Sequence, residues 1–142
     1  MSKILIIGQA PPAQEQKVPY DTTMLYEWLE ECGISKEQAQ EMFEFEAVSA
    51  NFPGKAKGGG HKVPSTADML LHYHQVLSEK ILNSKKIIVL GNVAKHFLEN
   101  DTPSWRSRTQ PILYLMHPSR MNYERYHSNR NKILDPLREF LK

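Results

Sequence analysis

Three short apolar runs, each stopped by turn-forming residues, and one further strand-like segment punctuate this chain, and between them apolar residues recur at helical spacing. Residues 4–7 are apolar without a break and are closed by Gly8, the pattern of a strand buried on both faces. Residues 45–49 read as a second strand. Lys86–Leu90, closed by Gly91, reads as a third, and Ile112–Leu115, closed by His117-Pro118-Ser119, as a fourth. Leu25, Trp28 and Leu29 predict a helix, with Thr22 or Thr23 as its cap and Gly33 at its C-terminal stop. Ser35 and Gln38 have capping-box spacing for a short helix that fades near Phe43. Ser65 caps a longer one, with Asp68 at its third position, that runs to about Leu82. Met69, Tyr73, Val76, Leu77 and Ile81 share one of its faces, and His72 and His74 are expected on its surface. Val93, Phe97 and Leu98 mark a short helix. A last one covers residues 128–141, where Pro136 should kink it or mark its real start.

Strands alternating with helices predict a three-layer α/β/α fold. Its central sheet has four strands and is mainly parallel, in one domain over residues 1–142. Turn residues follow strands one, three and four at their C-terminal ends, where ligands bind in such sheets.

Composition narrows the classes. At 142 residues, 40% hydrophobic and 24% charged, the chain is of ordinary globular type. No apolar run approaches the ~18 residues of a membrane span. The apolar stretch near the start is too short for a signal peptide, so a cytoplasmic location is expected. Cys32 is the only cysteine, which excludes an internal disulfide and a cysteine-built metal or iron–sulfur site. No metal or cofactor is expected. The net charge of +2 is compatible with DNA binding through a local patch without arguing for it. Its distribution says more: residues 26–46 are acidic. Residues 52–64 form a basic, glycine-rich loop with Lys55, Lys57 and Lys62, and residues 105–142 carry six arginines and two lysines against three acids.

Two segments stand out as candidate chemistry. Gly8-Gln9-Ala10-Pro11-Pro12 follows the first strand directly, and His117-Pro118-Ser119-Arg120-Met121-Asn122 follows the last. Either alone reads as a tight turn. Between them lie Pro19-Tyr20, Leu25-Tyr26-Glu27-Trp28-Leu29, Phe52-Pro53-Gly54-Lys55, Val63-Pro64-Ser65 and Ile87-Ile88-Val89-Leu90-Gly91-Asn92-Val93-Ala94. In this order they resemble the uracil-DNA glycosylase superfamily from about residue 4 to 131, in particular bacterial members similar to its iron–sulfur branch.

The resemblance implies a DNA glycosylase acting on uracil or a modified or damaged pyrimidine. A base stacked in duplex DNA has to be flipped out, at roughly a few kcal/mol. His117 matches the histidine that donates to the base oxygen, a contribution worth ~10²–10³ in rate. Tyr20 matches the aromatic that stacks on the flipped base. Met121 lies where a wedge would fill the gap. Gly8, Ala10 and Pro11 belong to the first loop, next to the base. Ser65, Ser119, Arg120 and Asn122, with the three loop lysines, are candidate DNA contacts.

Departures from the pattern are specific. Several branches place an acid in the first loop, where this chain has Gln9 and Ala10. Asp21 is the nearest replacement, with Gln9 beside it. The asparagine that reads the pyrimidine edge would fall near Ala47; Asn51, Ser49 and Asn92 are the available substitutes. Cluster cysteines are replaced by Asn51 and His72. The expectation is a monomeric, metal-free glycosylase whose partner is DNA. Its alternative is a non-catalytic nucleic-acid-binding member of the same fold. An unrelated nucleotide-binding domain would need the Gly-Lys-Ser/Thr end of a phosphate loop after Gly8, which is missing.

Overall fold

The apolar run near the start forms the strand Ile4–Gly8 (β1), buried along its whole length. The computed structural model describes residues 3–9, 23–49, 64–102, 104–116 and 130–142. The other strands are Phe43–Ala47 (β2), Lys86–Leu90 (β3) and Ile112–Leu115 (β4), in the spatial order β2-β1-β3-β4. Every pairing is parallel, with Ile4 beside Phe43 and Lys86, and Ile87 beside Ile112. This is the four-stranded α/β sheet expected from the alternation of elements.

Helices cover both faces. Thr23–Glu31 (α1), Lys36–Met42 (α2) and Arg130–Phe140 (α6) pack with Ile4, Ile6, Ile88 and Leu90. On the other face lie Thr66–His72 (α3), Ser78–Asn83 (α4), Asn92–Asp101 (α5) and a 3-10 turn at Trp105–Ser107. They meet Leu5, Ile7, Ile87 and Val89. Alternate residues of β1 and β3 thus feed two separate apolar layers, which is why both strands read as unbroken hydrophobic runs.

Local chemistry sets the boundaries. Gly33 stops α1 at φ 87°, where its N–H donates to the Glu30 carbonyl and that of Ile34 to Leu29, both at 3.0 Å. Ser35 and Gln38 close a reciprocal capping box at 3.1 and 2.9 Å. The Ser65 hydroxyl accepts from the Asp68 N–H at 3.1 Å. Between α3 and α4 the helix does not break but widens into a π-helical turn at Tyr73–Leu77.

Three expectations are corrected. The second strand begins at Phe43, not at 45, because Phe43 is buried beside Ile4 and turns extended as soon as α2 ends. The shift is by two residues, so the alternation of faces survives. Pro136 does not mark the start of the last helix, which is already helical at Arg130. Pro136 and Lys132, whose carbonyl it leaves without a helical donor, are both exposed, so water can replace the missing bond. His72 is not a surface residue: it is 8% exposed, and its Nε2 lies 3.3 Å from Glu46 Oε1. His74 is exposed, as expected.

Candidate functional site

Because all four strands run the same way, Gly8, Ala47, Leu90 and Leu115 end at one rim. Hydrogen bonds continue past the strands: Val48 N–H donates to the Gly8 carbonyl at 3.0 Å, and Gly91 N–H to Leu115 at 2.8 Å. From β1 the chain passes to α1 on one face, and from β3 to α5 on the other. Connections that part in opposite directions mark a topological switch point, outside whose strand ends α/β sheets hold ligands. Here the switch point lies between β1, which ends at Gly8, and β3, which ends at Leu90.

Gly8 is buried and ends β1; Gln9, half-buried and engaged with its surroundings, follows it. Gly91 turns from β3 into α5 at φ 86° and ψ 165°, a conformation that side chains with a Cβ avoid. Asn92 is exposed at the first position of α5, whose N-terminus has no side-chain cap. Ser49, just past β2, is 2% exposed. Ser65 lies beyond that rim's described residues, at the start of α3, where its oxygen caps the helix. Its hydroxyl proton remains available to a second acceptor.

Ala10, Pro11, Tyr20, Asp21, Asn51, Lys55, Lys57, Lys62, His117, Ser119, Arg120, Met121 and Asn122 lie outside the described residues. Their positions in the chain relate to the rim all the same. Residues 10–22 follow Gln9, residues 50–63 follow Ser49, and residues 117–129 follow Met116. Three of the four connections leaving the rim therefore carry these residues, and the fourth is the tight turn at Gly91 that leads to Asn92.

Two side-chain groups escaped the sequence reading. Lys80 Nζ lies 2.8 Å from Glu44 Oε1 and 2.6 Å from Glu46 Oε2, so Glu46 joins β2 to both His72 and Lys80. Burial alone would raise the Glu46 pKa; hydrogen bonds from His72 and Lys80 outweigh it and hold the carboxylate below its usual range. The signal was the strand Phe43-Glu44-Phe45-Glu46-Ala47, in which acids alternate with apolar residues. Among the described residues β2 is an edge strand, where charges also discourage pairing with a foreign strand. The second group joins Tyr114 to Trp105, whose Nε1 donates to the phenol oxygen at 2.9 Å. Burial raises the pKa of that phenol, so it stays neutral. Among the described residues no three His, Cys, Asp or Glu side chains gather as a metal site would need, and no helix is long and apolar enough to cross a membrane.

The chain fits the model of the uracil DNA glycosylase superfamily over residues 1–141, and it belongs to that superfamily. The family is one of DNA glycosylases. Among solved structures the chain is similar to wild-type SMUG2 of Pedobacter heparinus, with a TM-score of 0.57 and 15% identity. The likeness covers 97% of this chain and 74% of that one, and at this identity it speaks for the fold. No curated protein matches.

Proposed function

We propose that this protein flips uracil or a modified or damaged pyrimidine out of DNA and hydrolyses its N-glycosidic bond, leaving an abasic site. The observation that carries this reading is the superfamily match along nearly the whole chain, together with a rim from which three candidate-bearing segments depart. In the reaction the bond from C1′ to the base nitrogen breaks, and its electron pair leaves with the base. Water adds to C1′ and loses a proton. His117 donates to the base oxygen as negative charge grows there. Asp21 orients the water and faces the sugar cation, with Gln9 assisting. Tyr20 stacks on the base, while Asn51 or Asn92 reads its edge. Gly8, Ala10 and Pro11 let the backbone approach it closely. Lys55, Lys57, Lys62, Ser65, Ser119, Arg120 and Asn122 hold phosphates, and Met121 fills the vacated stack. The enzyme acts as a monomer without a cofactor.

The test is incubation with oligonucleotides bearing uracil and a panel of modified pyrimidines, in single and double strands, followed by alkaline cleavage of abasic sites. Strand cleavage at one modified base supports the reading. The missing acid at Gln9-Ala10 favours a second one, a DNA-binding member without catalysis. Binding without base release across the panel would establish that alternative instead.

A further inference from the structure

The side of the sheet formed by β4, α5 and the turn at Trp105–Ser107 carries three cations held in fixed positions. Lys95, one turn into α5 and so close to the rim, has its ammonium 4.9 Å from the centre of the Tyr114 ring. The Tyr114 phenol is bonded to Trp105, and the Arg108 guanidinium lies 5.7 Å from the centre of the Trp105 ring. Arg106 Nε donates to the Glu99 carbonyl at 3.1 Å. None of the three cations pairs with a carboxylate among the described residues. Glu99 faces the Tyr114 phenol, and Asp101 is half-buried at the end of α5. The cations therefore have hydrogen-bonding capacity to spare, while aromatic faces and a carbonyl limit their motion. Such pre-ordering lowers the entropy lost when a partner binds.

We propose that Lys95, Arg106 and Arg108 form a track for the phosphates of the DNA strand beside the flipped nucleotide, leading away from the rim along β4. This rests on the glycosylase reading and adds a contact surface that none of the three candidate segments supplies. Four residues of β4 span ~13 Å at about 3.3 Å each, and one DNA strand rises ~3.4 Å per phosphate, so a strand laid along β4 would face about four phosphates. Among the described residues β4 is an edge strand, and no further strand of the sheet covers this side.

The experiment measures affinity for a labelled duplex as a function of salt. Each phosphate contact contributes ~0.9 to the slope of log affinity against log salt. Replacing Lys95→Gln and Arg106→Gln together should lower that slope by about 2, and adding Arg108→Gln by about 3. The double variant leaves the Arg108–Trp105 contact in place, so it remains decisive if the triple variant folds poorly. Lys36→Gln is the matched control, since Lys36 also sits over a tyrosine ring, that of Tyr26 on α1, but packs on the opposite face. Its slope should equal the parent's. Equal slopes for parent and double variant, with DNA still bound, overturn the track and leave the glycosylase reading standing. A parent protein that binds no DNA overturns both.

Discussion

Glu46 and His72 stand 26 residues apart in the chain, yet their side chains meet at 3.3 Å across the interface of β2 and α3. Lys80 approaches the other oxygen of the same carboxylate at 2.6 Å. One partly buried acid thus fastens β2 to the helical layer above it.

Glu46→Gln should therefore lower stability by ~2 kcal/mol, the usual worth of a hydrogen bond to a charged group. The pH dependence has a definite sign. The folded-state pKa of Glu46 is lowered, so its contribution is complete above the unfolded carboxylate value and fades as pH falls through the folded one. Lys80 is the mirror case. Burial opposes its charge, but Glu44 and Glu46 outweigh that and raise its pKa, so its contribution fades only as pH rises through the raised value. Thermal melts from acid to neutral pH should show parent and variant converging at the acid end. A constant gap between them would contradict the assignment.

Gly91→Ala should cost about 1–3 kcal/mol, since φ 86° with ψ 165° is nearly closed to residues with a Cβ. Gly91 also donates to Leu115 at the rim. Denaturant melts report the loss directly; an unchanged midpoint would mean that the turn relaxes without strain.

His117→Ala should leave the melting temperature near the parent's and slow base release at least ~10-fold, toward the ~10²–10³ expected for a lost donor at the leaving oxygen. Single-turnover rates on the best substrate of the panel decide this. A parent-like rate removes His117 from the mechanism.

Asp21→Asn separates two roles. Asparagine caps a helix about as well as aspartate, so a capping role predicts no change in melting or in chemistry. A role in holding water predicts normal DNA binding with base release slowed ~100-fold. Cleavage at the parent rate would leave Gln9 and backbone groups as the only polar help from the first loop.

Much of the fold was legible because its signals are local. Unbroken apolar runs announced β1 and β3, and Gly33, Ser35 and Ser65 announced helix ends that the structure shows in the expected geometry. The start of β2 was misjudged because Phe43 serves both the end of α2 and the pairing with Ile4, and only the latter depends on a distant residue. His72 read as a surface histidine for the same reason: its partner Glu46 belongs to another element. At the candidate site, Gly8, Gln9 and Asn92 could be assigned to strand ends from their neighbours alone. The roles of His117 and Asp21 depend on how residues far apart in sequence meet over the rim, which no local pattern encodes.

The π-helical turn at Tyr73–Leu77 has a consequence for rotational phase. An α-helix advances about 100° per residue, so residues spaced by four drift apart by about 40° at each step. Met69, Tyr73, Leu77 and Ile81 keep that strict spacing and would lie about 120° out of line after three steps, yet all four are buried. A π turn absorbs one additional residue and cancels most of the drift. It brings Lys80 back into azimuth with His72, eight positions earlier, and both reach Glu46. Deleting a single residue between Tyr73 and Leu77 would restore a regular helix. The apolar row would then be spaced by four, three and four residues, which a helix of ordinary pitch keeps in line, so the turn works as a clutch that keeps two halves of one helix facing the same sheet.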